Sequence, residues 1–406
     1  MRFSRRAFIK STGLGFITMG LAPGFLVRAA DFRSAGGKKV FVLVFQRGAM
    51  DGLNVVIPFK DPAYYSLRPS IAVAPPGTGD DRVIDLDGFF GLHPALAPLK
   101  SIYDQGRLAF VHASGSPDNT RSHFDAQDCM ELGTPGLRSN PDGWLNRSLL
   151  DKQKTIAPFR AVALTTQLPR ILAGAAPALT LSSIDEFRLR NDAMAGPLQK
   201  LYANSADAIF RVAGDSLFAA MRELRRIEAK MPAAQERYPA GRFGAALSQI
   251  ARLIKADVGM EIAFTEIGGW DTHANEGGAT GQLANRLREL GEGLAAFYRD
   301  LDDRMDDVVL LTLSEFGRTA RENGNRGTDH GHANVMFAMG GNVKGGKIYG
   351  RWPGLAPEVL FEGRDLALTT DYRALCSEVL SGHLGLRDLG KIFPGFRPTD
   401  ALGILT

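Results

Sequence analysis

The chain has 406 residues, 45% of them hydrophobic, with 48 Lys and Arg against 44 Asp and Glu and a formal charge of +4. Five of the basic residues, Arg2, Arg5, Arg6, Lys10 and Arg28, fall where no acidic residue occurs, and without them the balance is 4 − 5 = −1. With no basic stripe in the remainder, nucleic acid and anionic membrane surfaces are excluded as expected partners, while the length suffices for a large core in one big domain or two.

The N-terminus carries Ser4-Arg5-Arg6-Ala7-Phe8-Ile9-Lys10, then an apolar, glycine-rich stretch from Gly13 to Val27 broken by Pro23. This reads as a twin-arginine export signal over residues 1–29, with cleavage after Ala29. The competing reading is a membrane anchor, but the stretch is shorter than about 20 residues, so no stable transmembrane anchor is expected. The twin-arginine translocase is then a partner and the periplasm or the exterior the destination. The two cysteines, Cys129 and Cys376, are expected to be buried thiols rather than a disulfide.

Beyond the signal, Lys39 to Phe45 is a continuous apolar, β-branched run, the pattern of a strand buried on both faces. Similar runs follow at Leu108 to His112, Arg160 to Leu164, Glu261 to Ile267, Val308 to Leu313 and Val335 to Met339. Helical patterns lie between and after them at Pro94 to Gln105, Ser122 to Leu132, Gly241 to Ala256, Gln282 to Asp303 and Asp371 to Leu384. The alternation predicts an α/β fold, a large mostly parallel sheet flanked by helices, over residues 30–406. Residues 183–240 break the rhythm with long charged amphipathic stretches and read as a helical cap insertion, the alternative being crossover helices on one sheet face.

The residues able to do chemistry follow the strand-like runs, where open α/β sheets bind ligands. Of the seven histidines, His273, His330 and His332 each lie within three residues of an aspartate, in Gly-Gly-Trp-Asp271-Thr-His273 and Gly-Thr-Asp329-His330-Gly-His332. Carboxylates mixed with imidazoles suit zinc, manganese or iron(II) better than calcium or magnesium. Asp271 and His273 alone could equally be a turn. In the second group three potential ligands fall in four residues, and burying them requires a cation. Glu315, directly off the fifth strand-like run, is a metal ligand, a general base or an acid paired with Arg318. Ser122 begins a helix as N-cap, with Asp125 completing an approximate capping box, and Ser122 or Thr120 is a candidate nucleophile with Arg121 holding an oxyanion. Arg47, near Asp51, is a further candidate for anion binding.

The segments RGAMDGLN, FGLHPAL, RSHFDAQDCMELG, DGWLNR, GGWDTHAN, SEFGRTARENG, GTDHGHANVMFAMGG and TTDYRA, with the twin-arginine start, resemble nearly end to end a bacterial family of domains of unknown function, number 1501. That family is similar to the alkaline phosphatase and sulfatase superfamily of metal-dependent ester hydrolases. The resemblance implies an alkaline-phosphatase-like sheet and one or two divalent ions. It implies ligation by Asp51 after the first strand, by Asp271 and His273, and by Asp329 and His330, with His332 beside them, and a hydroxyl nucleophile at Ser122 or Thr120. Two departures stand out. The Asp-His-Gly triplet follows Glu315 by fourteen residues instead of ending the strand, so either Glu315 takes a ligand place with Phe316 where a histidine would be, or the triplet loop folds back. The sulfatase signature is absent, since Cys129 is followed by Met130-Glu131-Leu132, which argues against a formylglycine sulfatase. The expectation is an exported metal-dependent hydrolase acting on a small-molecule or envelope ester of phosphate or a related acid. The alternative is a non-catalytic metal-binding or polysaccharide-assembly protein that keeps the fold.

Overall fold

The computed structural model describes residues 39–136, 141–150, 158–185, 195–206, 208–228, 233–398 and 401–406. The expected export signal, residues 1–29, lies outside them. Among the described residues nine strands form one sheet: β1 (Val40–Arg47), β2 (Leu108–Gly115), β3 (Ala161–Ala163), β4 (Leu179–Thr180), β5 (Ile262–Gly268), β6 (Val308–Leu313), β7 (Asn334–Gly340), β8 (Lys347–Tyr349) and β9 (Thr370–Asp371). The order is β8-β2-β7-β6-β1-β5-β3-β4, with β9 also paired to β2. The six strand-like runs of the sequence are β1, β2, β3, β5, β6 and β7.

Why β1 sits at the centre follows from its side chains. Val40, Val42 and Val44 face one apolar cluster and Phe41, Leu43 and Phe45 the other, so neither face of the strand can be left to water. Helices cover both sides. Arg242–Lys255 and Gln282–Leu301 bury Leu247, Ile250, Leu287 and Leu294 in the first cluster, and Tyr372–Glu378 buries Tyr372, Leu375 and Cys376 in the second. Cys129 and Cys376 are both buried thiols and form no disulfide among the described residues. Within residues 183–240 the described regular elements are two helices, Ala195–Ala203 and Ala208–Glu228, and Ala220 and Leu224 join the first cluster. No helix of the described residues is long and apolar enough to cross a membrane.

The sheet is parallel except for β7, which runs antiparallel to both neighbours, β6 and β2. The cause is the connection. Residues 314–333 contain no helix to carry the chain back across the sheet, so it re-enters from the edge at which β6 ended. The carboxyl ends of β1, β2, β5 and β6 and the start of β7 therefore lie on one edge, which gathers the loops bearing most of the singled-out residues.

Three histidines serve the core instead. His93 Nε2 meets Gly278 O at 3.0 Å, His112 Nε2 meets Val56 O at 2.8 Å and His383 Nε2 meets Val40 O at 3.0 Å. Burial lowers each from 6.5 to about 4. A depressed imidazole contributes stability that is whole above the unfolded pKa and is lost as pH falls towards the folded one. The urea midpoint should accordingly decline between about pH 6.5 and 4, on the order of 3 kcal/mol for each imidazole at full protonation. A midpoint constant over that window contradicts this account.

Candidate metal centre

Four loops meet at the carboxyl edge. After β5, the turn Gly269-Trp270 buries the indole and presents Asp271 and His273. After β6, Glu315 and Arg318 follow within five residues of Leu313. The loop before β7 folds back on that segment: Thr319 N–H donates to Asp329 O at 3.0 Å, Gly331 N–H to Gly317 O at 2.8 Å and Gly317 N–H to His332 O at 2.8 Å. The approach is tight enough to need glycine, since a Cβ at Gly317 would lie 1.9 Å from Ala333 O and one at Gly331 2.3 Å from Arg318 C. The triplet loop thus returns to the strand end where Glu315 stands. The fourth loop precedes the helix His123–Leu132, in which Ser122 Oγ accepts from Asp125 N–H at 3.4 Å and His123 opens the first turn.

The fold-back brings His330 to His123, Asp271 and His273. His123 Nε2 and His330 Nε2 are 3.1 Å apart, and His273 Nε2 and His330 Nε2 3.0 Å. Asp271 Oδ1 lies 3.5, 3.0 and 3.4 Å from the Nε2 atoms of His123, His273 and His330. The opposite ring nitrogens decide what these contacts are. His123 Nδ1 faces Glu315 Oε1 at 2.8 Å, His273 Nδ1 faces Asp329 Oδ1 at 3.1 Å and His330 Nδ1 faces Arg121 O at 2.7 Å. Those oxygens only accept, so each Nδ1 carries the ring proton, and in the neutral imidazoles all three Nε2 lone pairs point inward beside a carboxylate oxygen.

Converging lone pairs with no proton between them repel, and a cation resolves the conflict. Ligands bound at 2.0–2.1 Å in a tetrahedron stand about 3.3 Å apart, close to the separations seen, so nitrogen and oxygen donors here fit a zinc-like ion. His123, Asp271 and His330 place their donor atoms within 4.8 Å of one another. His273 stands beside two of them at the solvent side, its side chain 44% exposed like that of Asp271. Imidazole protons held by carboxylates or a carbonyl are the usual outer support of a metal-binding histidine.

The surrounding charges favour this arrangement. Hydrogen bonding to Glu315 raises the His123 imidazole, making its nitrogen the better donor, whereas burial lowers His330. Burial pushes Asp271, Glu315 and Asp329 upward, yet all three end below the usual carboxylate range. Arg318 outweighs burial for Asp271, His123 with Gln127 for Glu315, and Asn323 with His273 for Asp329. Glu315 Oε1 also accepts from the Gly48 N–H at 2.8 Å.

The other singled-out residues contribute no donor atom to the cluster. Asp51 does follow β1, but its carboxylate is fully buried against Arg68, whose Nη2 reaches Oδ1 at 2.9 Å. His332 is buried with its ring stacked on Phe361, the centroids 4.3 Å apart. Thr120 Oγ1 accepts from the Ser122 N–H at 3.3 Å. The three arginines have carboxylate partners: Arg47 has Glu131 and Glu266, Arg121 has Glu362 and Asp365, and Arg318 has Asp271. His123 was not among the ligands read from the sequence, because the helix cap explained its surroundings. The signal was there in an imidazole next to a serine N-cap on the strand edge already holding the other histidines.

If Glu315 fixes the His123 ring and raises its basicity, Glu315→Gln should weaken affinity for a bound divalent ion about tenfold or more. Competition against a chromophoric chelator measures this, and an unchanged affinity would count against the orienting role.

A lipoteichoic acid synthase, LtaP from Listeria monocytogenes, is similar at 9% identity, covering 78% of this chain and 69% of its own, with a TM-score of 0.33. The PsFucS1 sulfatase from Pseudoalteromonas sp. is similar at 10% identity over 91% of this chain and 72% of its own, TM-score 0.40. An alkaline phosphatase from the Antarctic bacterium TAB5 is similar at 11% identity over 75% and 91%, TM-score 0.30. No curated protein matches the chain. A family model described as a protein of unknown function matches residues 102–393, and the chain belongs to that family, DUF1501.

Proposed function

We propose that this chain is an exported metal-dependent hydrolase of phosphate or related esters, built around one transition-metal ion held by His123, Asp271, His330 and His273. The observation carrying the proposal is the convergence of three Nε2 lone pairs and Asp271 Oδ1, each ring proton being committed elsewhere. When bound, such an ion supplies Lewis-acid polarisation of an ester oxygen and lowers the pKa of water. Glu315, Asp329 and the Arg121 carbonyl hold the ring tautomers, and Arg318 holds Asp271 ionised. Ser122, adjacent to His123 in sequence and only partly buried, is the hydroxyl best placed along the chain to attack, with water the other nucleophile. In this reading Glu315 orients His123 and does not take a substrate proton, because His123, Gln127 and Gly48 all occupy its Oε1.

One observation favours a second reading, a metal-binding envelope protein without turnover. Arg47, Arg121 and Arg318 are each bonded to carboxylates, so the positive charge facing an ester anion would have to come from the ion. Elemental analysis of protein folded in the cytoplasm, followed by assay on phosphomonoesters, phosphodiesters and sulfate esters, separates the two. Asp271→Ala and His330→Ala should each lower metal content and any esterase activity together. Full metal occupancy in both variants would remove the proposed ligands from consideration, while metal without turnover on any ester favours the second reading.

A further inference from the structure

Glu276 is fully buried three residues beyond His273. Its Oε2 accepts two hydroxyl protons, from Thr272 Oγ1 at 2.9 Å and from Thr328 Oγ1 at 2.7 Å. Thr272 lies between Asp271 and His273, and Thr328 immediately precedes Asp329-His330, so one carboxyl oxygen joins the two loops that supply most of the donor cluster. Backbone bonds run alongside: Thr328 N–H donates to Thr272 O at 3.1 Å and Glu276 N–H to Arg326 O at 2.9 Å. At Gly327 a Cβ would meet His273 C at 2.5 Å, so the loops are already in contact and cannot be drawn closer.

The second oxygen, Oε1, has no hydrogen-bond donor directed at it. Beside it is the Asp51 carboxylate, already paired with the buried Arg68. Two buried carboxyls beside one guanidinium carry one negative charge too many unless one is protonated. Burial first, and Asp51 second, push Glu276 well above the usual range, which makes it the protonated member, donating through Oε1 to Asp51. The carboxyl is then satisfied on both sides.

We propose that Glu276 is a positioning residue for the metal centre, its carboxyl setting the spacing between the Asp271–His273 and Asp329–His330 loops through Thr272 and Thr328 while anchored to Asp51. The inference rests on the proposed ion site but not on any ester substrate. Its probe is Zn2+ alone, by chelator competition, with Co2+ absorption reporting coordination. Glu276→Leu should weaken Zn2+ binding about 10- to 100-fold. Glu276→Gln, whose amide oxygen can accept both hydroxyls and whose amide nitrogen can donate to Asp51, should restore most of that loss. If Glu276→Leu does not fold, the shape-conserving pair Thr272→Val with Thr328→Val removes the same cross-link and should weaken Zn2+ similarly. Wild-type affinity in the folded Leu variant or in the valine pair overturns the proposal, as does a Gln variant as weak as the Leu variant. A wild-type chain that binds no Zn2+ instead overturns the ion site itself.

Discussion

The buried guanidinium of Arg318 is the constraint on which the carboxyl edge depends. Its Nε donates to Ala49 O at 2.7 Å, its Nη2 to Gly48 O at 2.8 Å, Trp270 O at 2.9 Å and Asp271 Oδ1 at 2.6 Å, and its Nη1 to Thr328 O at 3.3 Å. Burying a cation costs several kcal/mol unless it is paired and hydrogen-bonded, and this one is paired with Asp271 and has an acceptor at every nitrogen. In doing so it connects the loop after β1, the loop after β5 and the loop before β7. A lysine could not do the same, having three donors on one atom instead of a planar fork of five. Gly48 fits the scheme because its φ of +116° suits glycine and its carbonyl reaches Arg318 while its amide reaches Glu315.

Around this anchor the site separates its charges into two layers. The inner layer is three imidazoles and one carboxylate whose proton-free atoms face each other. The outer layer is Glu315, Asp329 and a carbonyl, which fix the ring protons on the far nitrogens. A buried pair, Asp51 with Arg68, lies near Glu276 rather than in the donor cluster. An arrangement with nitrogen in the majority suits transition metals over oxygen-seeking calcium or magnesium.

Much of the scaffold was legible because its causes are local. The alternation of apolar runs along β1, β2, β5 and β6 follows from burial on both faces, and each run ends near a residue of interest. The reversed direction of β7 was not legible, since Val335 to Met339 has the composition of a parallel strand and only the lack of a helix in residues 314–333 hinted otherwise. At Asp51 position alone was readable: the residue follows the first strand, but its partner Arg68 lies seventeen residues on with no pattern linking them. His123 shows the converse, a residue whose local role as the first residue of a helix hid its long-range one. Whether Glu315 or the Asp-His-Gly triplet serves the centre was posed as alternatives by the sequence. The fold-back places both there, His330 in the donor cluster and Glu315 behind His123.

The return of β7 to the sheet also bears on how the proposed ion would be coupled to folding. Residues 314–333 are closed at both ends by central strands, β6 and β7, so the entropy of forming that loop is offset by sheet formation and core burial. A zinc finger, by contrast, has its loops closed by the ion and unfolds without it. Here the candidate donors are held by the sheet edge and by Arg318. If the proposed ion is bound there, its release should cost the chain little of its folding free energy, unlike the loss of zinc from a finger.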